Sequence, residues 1–140
     1  MKKLYGVVVP IVTPLTQEDA IDVTSLKRLA DHCIDSGMQA IYPCGTTGEM
    51  MYLSVEERRL VAETVVRHAA GRVPVFVHVG AWNLRDTVEL AKHAAEIGAD
   101  GIAVVTPAFF SVRDQGLVDY FTTVAKSVPQ DFPVYLYAIP

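Results

Sequence analysis

The sequence predicts an α/β fold in which a strand–helix unit repeats to build a parallel sheet. Three observations predict it. Short runs rich in apolar and β-branched residues recur roughly 30 residues apart, the length of a strand–helix–strand unit. Stripes of apolar residues with helical period lie between these runs. A glycine stands just past several of the stripes, where a left-handed helix end is wanted.

The elements follow in order. Gly6–Val12 reads as the first strand, and its continuous apolar character suits a strand buried on both faces. Leu26, Leu29, Ala30, Cys33 and Ile34 form the first helical stripe, closed by Gly37. Ala40–Pro43 is the second strand. Ser54, with Glu57 three residues on, is a capping box that opens the second helix, and Gly71 follows that helix. Val73–Val79 is the third strand. Asn83 caps a helix carrying Leu84, Val88, Ala91 and Ala95 and ending before Gly98. Gly101–Val105 is the fourth strand. Leu117, Phe121, Val124 and Val128 mark the fourth helix, Pro129 closes it, and Val134–Tyr137 is the fifth strand. Alternating strands and helices imply right-handed crossovers. An open doubly wound sheet and part of a (β/α)8 barrel both fit this pattern. A whole barrel takes roughly 250 residues, so 140 residues make a little over half of one.

Composition narrows the function. Hydrophobic residues make up 51% of the chain and charged residues 20%, which excludes a disordered chain. Twelve basic residues are scattered among sixteen acidic ones, for a net charge of −4. Neither nucleic acid nor an anionic membrane is expected as a partner. Lys2 and Lys3 before the apolar run Leu4–Val12 faintly copy a signal peptide, but Pro10 and Pro14 break the run and no small-residue cleavage site follows. Cys33 and Cys44 are too few for a disulfide framework. A soluble, cytoplasmic, reduced protein is the expectation.

Both candidate architectures place their sites in the loops that follow the strands. The richest is Cys44-Gly45-Thr46-Thr47-Gly48-Glu49, directly after the second strand. Its glycines let backbone approach a ligand, and two hydroxyls beside N–H groups suit a small anion such as a carboxylate. A tight turn in which the threonines serve only local caps fits the same residues. A nucleotide phosphate loop does not, because Glu49 stands where lysine is needed. Tyr137 at the end of the fifth strand reads as a core aromatic or as a proton relay. His78 in the third strand reads as a hydrogen-bonded core residue. The four His and two Cys show no metal-ligand spacing, so no metal is expected. Phe109 and Phe110 after Thr106-Pro107 read as a pocket wall or an interface patch.

Four motifs together resemble the dihydrodipicolinate synthase / N-acetylneuraminate lyase family. They are Gly45-Thr46-Thr47-Gly48-Glu49, Val105-Thr106-Pro107, Tyr137-x-x-Pro140 and the opening Val9-Pro10-Ile11-Val12-Thr13-Pro14. The resemblance runs in register over the whole chain. It implies the first four βα units plus strand 5 of a (β/α)8 TIM barrel, with residues 1–140 as the N-terminal part of one domain. It also implies class I aldolase chemistry without a cofactor. In that chemistry a 2-keto acid, usually pyruvate, forms a Schiff base with a lysine and is joined to, or released from, an aldehyde. A homo-oligomer is implied as well. By the same resemblance Gly45, Thr46 and Thr47 bind the substrate carboxylate, and Tyr137 relays protons with Thr46 as its partner. His78-Val79-Gly80 is closer to the lyase branch.

Three departures stand out. Ala138 follows the tyrosine where the family usually has Asn, and Phe109 stands where a second tyrosine completes the relay. The five lysines are Lys2, Lys3, Lys27, Lys92 and Lys126, and none is expected at the C-terminal end of a strand. The 140 residues alone are therefore expected to be inactive. The alternative expectation is a non-catalytic half-barrel that binds a keto acid or self-associates.

Overall fold

The computed structural model describes residues 5–108 and 111–139. The residues expected to form a pocket wall or interface patch, Phe109 and Phe110, lie outside the described residues, as do Lys2, Lys3 and Pro140. Five strands alternate with four helices: β1 (Val8–Pro10), α1 (Val23–Asp35), β2 (Ala40–Tyr42), α2 (Val55–Ala69), β3 (Phe76–His78), α3 (Leu84–Glu96), β4 (Gly101–Val105), α4 (Asp114–Lys126) and β5 (Val134–Tyr137).

Strand order separates the two architectures left open above. Val8 pairs with Ala40, Phe76 with Gly101 and Val105 with Tyr137, all parallel. A parallel bridge between Ile41 and Val75, and a bond from His78 N–H to the Pro43 carbonyl at 3.1 Å, join β2 to β3. The order is thus β1-β2-β3-β4-β5 without reversal. A doubly wound sheet reverses its order at a switch point, and none occurs. Successive helices also pack side by side, α1 on α2, α2 on α3 and α3 on α4. This is the arc of a (β/α) barrel.

Local signals set the helix ends. Ser54 and Glu57 form the expected capping box, and Asp22 and Asn83 accept from the third residue of their helices. Gly37 and Gly98 take the left-handed conformation after α1 and α3. At α2 that conformation begins one residue early, on Ala70 with φ 48°. The last turn of α4 ends at Lys126, so Val128 lies beyond the helix whose stripe it was expected to complete.

The core lies between helices and sheet, with Leu26, Ile41, Val61, Val65, Ile102 and Val124 fully buried. The strands are shorter than the apolar runs that signal them. Two of them also depart from burial on both faces. β1 is half-buried and Tyr135, Leu136 and Tyr137 of β5 are exposed, and among the described residues each of these strands pairs on one side only. Outside the barrel wall, His68 and Arg72 on and after α2 bind Asp31 of α1 at 2.9 and 2.8 Å. His93 of α3 binds Glu63 of α2 at 2.9 Å. Among the described residues no helix is long and apolar enough to cross a membrane.

Ile102 is fully buried and Tyr52 is 86% exposed. Truncating Ile102 to Ala is expected to cost about 2–5 kcal/mol in urea unfolding, whereas Tyr52→Ala should change stability by under about 0.5 kcal/mol. Equal effects would contradict this core.

Candidate active site

Parallel pairing delivers the C-terminal ends of all five strands to one end of the sheet, and the loop after β2 is the most constrained feature there. It starts with a sharp turn at Cys44, which is fully buried at φ 61°. A left-handed non-glycine residue costs roughly 1–2 kcal/mol, so the surroundings must hold it. Gly45 fits only without a side chain, since a Cβ there would lie 2.7 Å from the Tyr42 ring. Gly48 is similarly enclosed by the Ile11 carbonyl and the Cys44 nitrogen, and its carbonyl accepts from the Thr13 hydroxyl at 2.8 Å. Glu49, exposed and at φ 57°, donates its N–H to the Thr46 carbonyl at 3.0 Å.

Between these clamps Thr46 and Thr47 are exposed. Among the described residues neither N–H donates to a backbone acceptor. The loop is a tight turn that leaves these two N–H groups without a backbone acceptor. Two adjacent N–H groups flanked by hydroxyls are chemically suited to an oxyanion.

Tyr137 ends β5 in register with Val105, and its carbonyl accepts from Thr106 N–H at 3.3 Å. Its ring meets the His78 ring edge-on at 6.4 Å, and His78 meets Tyr42 in the same way at 5.9 Å. Tyr42, His78 and Tyr137 therefore form a row across β2, β3 and β5. Tyr42 and Tyr137 also line a cleft of about 270 Å³ on the inner face of the sheet, with Val8, Phe76 and Ala103. Thr46 and Thr47 are not among the residues that line it. No hydrogen bond joins Thr46 to Tyr137 among the described residues. Ala138 is exposed just beyond β5.

Three contributors were not legible as site residues. Thr13 holds Gly48. Tyr42 brings a buried hydroxyl that has no partner among the described residues, and burial, then Tyr137, pushes its phenol up. Arg58 of α2 is 3% exposed and donates to the carbonyls of His78 and Gly80, each at 2.8 Å. In sequence Glu56-Glu57-Arg58-Arg59 looks like a solvated face. Its period was the available signal, because Arg58 shares the buried side of α2 with Val61, Ala62, Val65 and Ala69.

Burial keeps Cys44 and His78 neutral here. The Cys44 thiol is pushed up to about 11 by burial and so stays an unreactive thiol near neutral pH. Burial and then the Arg58 charge push His78 down to about 3, against the pull of the Cys44 backbone. The folded chain thus keeps His78 neutral where the unfolded chain, at the usual 6.5, takes up a proton. Stability contributed by neutral His78 is complete above pH 6.5 and falls as pH drops towards 3. From pH 7 to 5, wild type is expected to lose about 2 kcal/mol more than His78→Gln in urea titrations. Parallel losses would contradict a buried neutral imidazole.

With this geometry established, comparison with known proteins is informative. The family model described as the dihydrodipicolinate synthetase family matches residues 3–140. The N-acetylneuraminate lyase of Rattus norvegicus is 43% identical over 99% of this chain and 44% of its own length. The crystal structure of dihydrodipicolinate synthase from Aquifex aeolicus superposes with a TM-score of 0.93 at 39% identity, over 98% of this chain and 46% of that one. A prophage protein of the dihydrodipicolinic acid synthase family from E. coli K12, in complex with pyruvate, superposes with a TM-score of 0.92 at 37% identity, covering 96% and 45%. The chain spans less than half the length of these relatives. Strand order, motif register and family match agree: the chain forms the first four βα units and fifth strand of a (β/α)8 barrel and belongs to the dihydrodipicolinate synthetase family.

Proposed function

We propose that residues 1–140 are the N-terminal part of a single aldolase domain and carry the carboxylate-binding loop and the relay tyrosine of a carbon–carbon lyase or synthase. The substrate is a 2-keto acid, pyruvate, which a lysine holds as a Schiff base while an aldehyde is added or released. Gly45, Thr46 and Thr47 hold the carboxylate through N–H and hydroxyl groups. Tyr137 moves protons at the reacting carbon with Thr46 as its partner across the bound substrate. No separate cofactor enters this scheme.

The observation that carries the reading is the loop after β2. Clamped at Cys44, Gly45 and Gly48, it leaves Thr46 and Thr47 exposed with backbone donors free, at the end of the sheet that also carries Tyr137. Preorganised donors of this kind bind an anion without reorganisation. The lysines support a division of labour. Lys27, Lys92 and Lys126 are exposed on α1, α3 and α4, away from the strand ends where a nucleophile would meet the keto carbon. Lys2 and Lys3 precede β1 in the sequence, and we assign the Schiff-base lysine to a further strand of the whole enzyme. We place the assembled enzyme in the cytoplasm, consistent with two buried free cysteines. Exposed Tyr52, and Trp82 at 65% exposure, favour a homo-oligomer.

Borohydride reduction in the presence of pyruvate, read by intact mass, tests the scheme. The 140-residue chain is expected to gain no pyruvyl mass, and a barrel completed by the remaining strands is expected to gain one per chain. A stoichiometric adduct on Lys27, Lys92 or Lys126 would overturn the assignment. In the completed barrel, Thr47→Val should weaken keto-acid binding by about 1.5–3 kcal/mol, the range for a hydrogen bond to a charged group, with little change in Tm. An unchanged KM with a lowered Tm would show that the loop is only a turn.

A further inference from the structure

Arg58 is anomalous. Arginine is almost never fully buried unless paired with an acid. Among the described residues no carboxylate forms an ion pair with it. Its partners are two backbone carbonyls, those of His78 and Gly80, and its Nε has no partner there. Its own carbonyl accepts from the Cys44 thiol at 3.7 Å. One residue of α2 thus ties the strained turn after β2 to the turn after β3.

The guanidinium also faces the His78 ring, with Nη2 3.5 Å from Nδ1. A guanidinium nitrogen has hydrogens and no lone pair to offer, so it only donates. In this orientation Nδ1 is the bare nitrogen of the neutral ring and Nε2 carries the hydrogen, which has no partner among the described residues. Gly80 makes room for that edge: a Cβ there would lie 3.0 Å from Cε1 and 3.2 Å from Nε2. The ring also meets Tyr42 from β2 and Tyr137 from β5 in T-shaped contacts, with interplanar angles of 71° and 89°. The only charged group among these neighbours is Arg58 itself.

We propose that Arg58 is a positioning residue, which locks His78 in the Nε2–H tautomer and, through the His78 ring, sets the orientation of Tyr42 and Tyr137. Its service to proton relay rests on the reading of Tyr137 given above; the locked tautomer does not. Arg58 touches no reacting atom. It acts by holding a flat ring in one rotamer and one protonation state between two phenols.

The test is the side-chain ¹⁵N–¹H spectrum of His78 in the 140-residue chain. Wild type should show Nε2–H favoured by roughly tenfold or more, the bias that a hydrogen bond from a charged donor confers, unchanged from pH 7 to 5. In Arg58→Met that bias should fall several-fold, towards the modest Nε2–H preference of a free histidine ring, since the other nitrogen loses the partner that sets the tautomer. Arg58→Lys keeps the charge but lacks the planar fork, so it carries the same comparison should Arg58→Met not fold. An Nδ1–H ring or an imidazolium at pH 6 in wild type would overturn the proposal. So would a tautomer bias that survives in both variants. The spectrum is read without substrate, so a failure of the keto-acid reading leaves this result standing, and the reverse holds too.

Discussion

Parallel pairing between sequence neighbours constrains everything else in this chain. A strand that must run beside its predecessor in the same direction requires the chain to cross back through a helix. Four such crossings put α1 to α4 side by side outside the sheet and bring the end of every strand out at the same edge. The loop after β2, the turn after β3 and Tyr137 are far apart in sequence, yet this rule makes them neighbours at one mouth. No contact made by their own side chains needs to be strong for them to meet.

Within the mouth, backbone clamps and buried polar groups take over. Cys44 and Glu49 hold left-handed conformations that would be unfavourable alone, and they persist because Gly45 lies against Tyr42 and Gly48 against the chain of Ile11 and Thr13. Arg58 carries the same logic into electrostatics. Burying a guanidinium without an acid is expensive unless its hydrogens are satisfied. Two of its five are taken by the carbonyls of His78 and Gly80, at the end of β3 and in the turn that follows. The result is a clamped rim on which the exposed Thr46 and Thr47 carry backbone N–H groups that meet no backbone acceptor among the described residues.

Much of this was legible in the sequence because each signal was local. Capping boxes, cap glycines and helical stripes act over three to eight residues, and the structure follows them closely at α1, α2 and α3. The tight turn at Gly45–Glu49 was legible for the same reason. The open choice between a barrel and a doubly wound sheet was not local, because strand order depends on which strands meet in space. Arg58 was not legible because charge marks a solvated position and its acceptors come from β3 and the turn after it, and Tyr42 because its neighbours come from β3 and β5. The half-exposed β1 and β5 departed from expectation because an apolar run records suitability for burial, not whether a neighbour is present.

The central claim is that the rim of β2 binds a carboxylate through Thr46 and Thr47. Amide ¹H–¹⁵N spectra of the 140-residue chain, titrated with pyruvate and separately with acetone as its uncharged counterpart, test it most directly. Saturable shifts centred on the Thr46 and Thr47 amides with pyruvate, and none there with acetone, are the predicted result. Equal responses to both compounds, or pyruvate shifts confined to the groove of Lys27, Arg67 and His68 between α1 and α2, would contradict it.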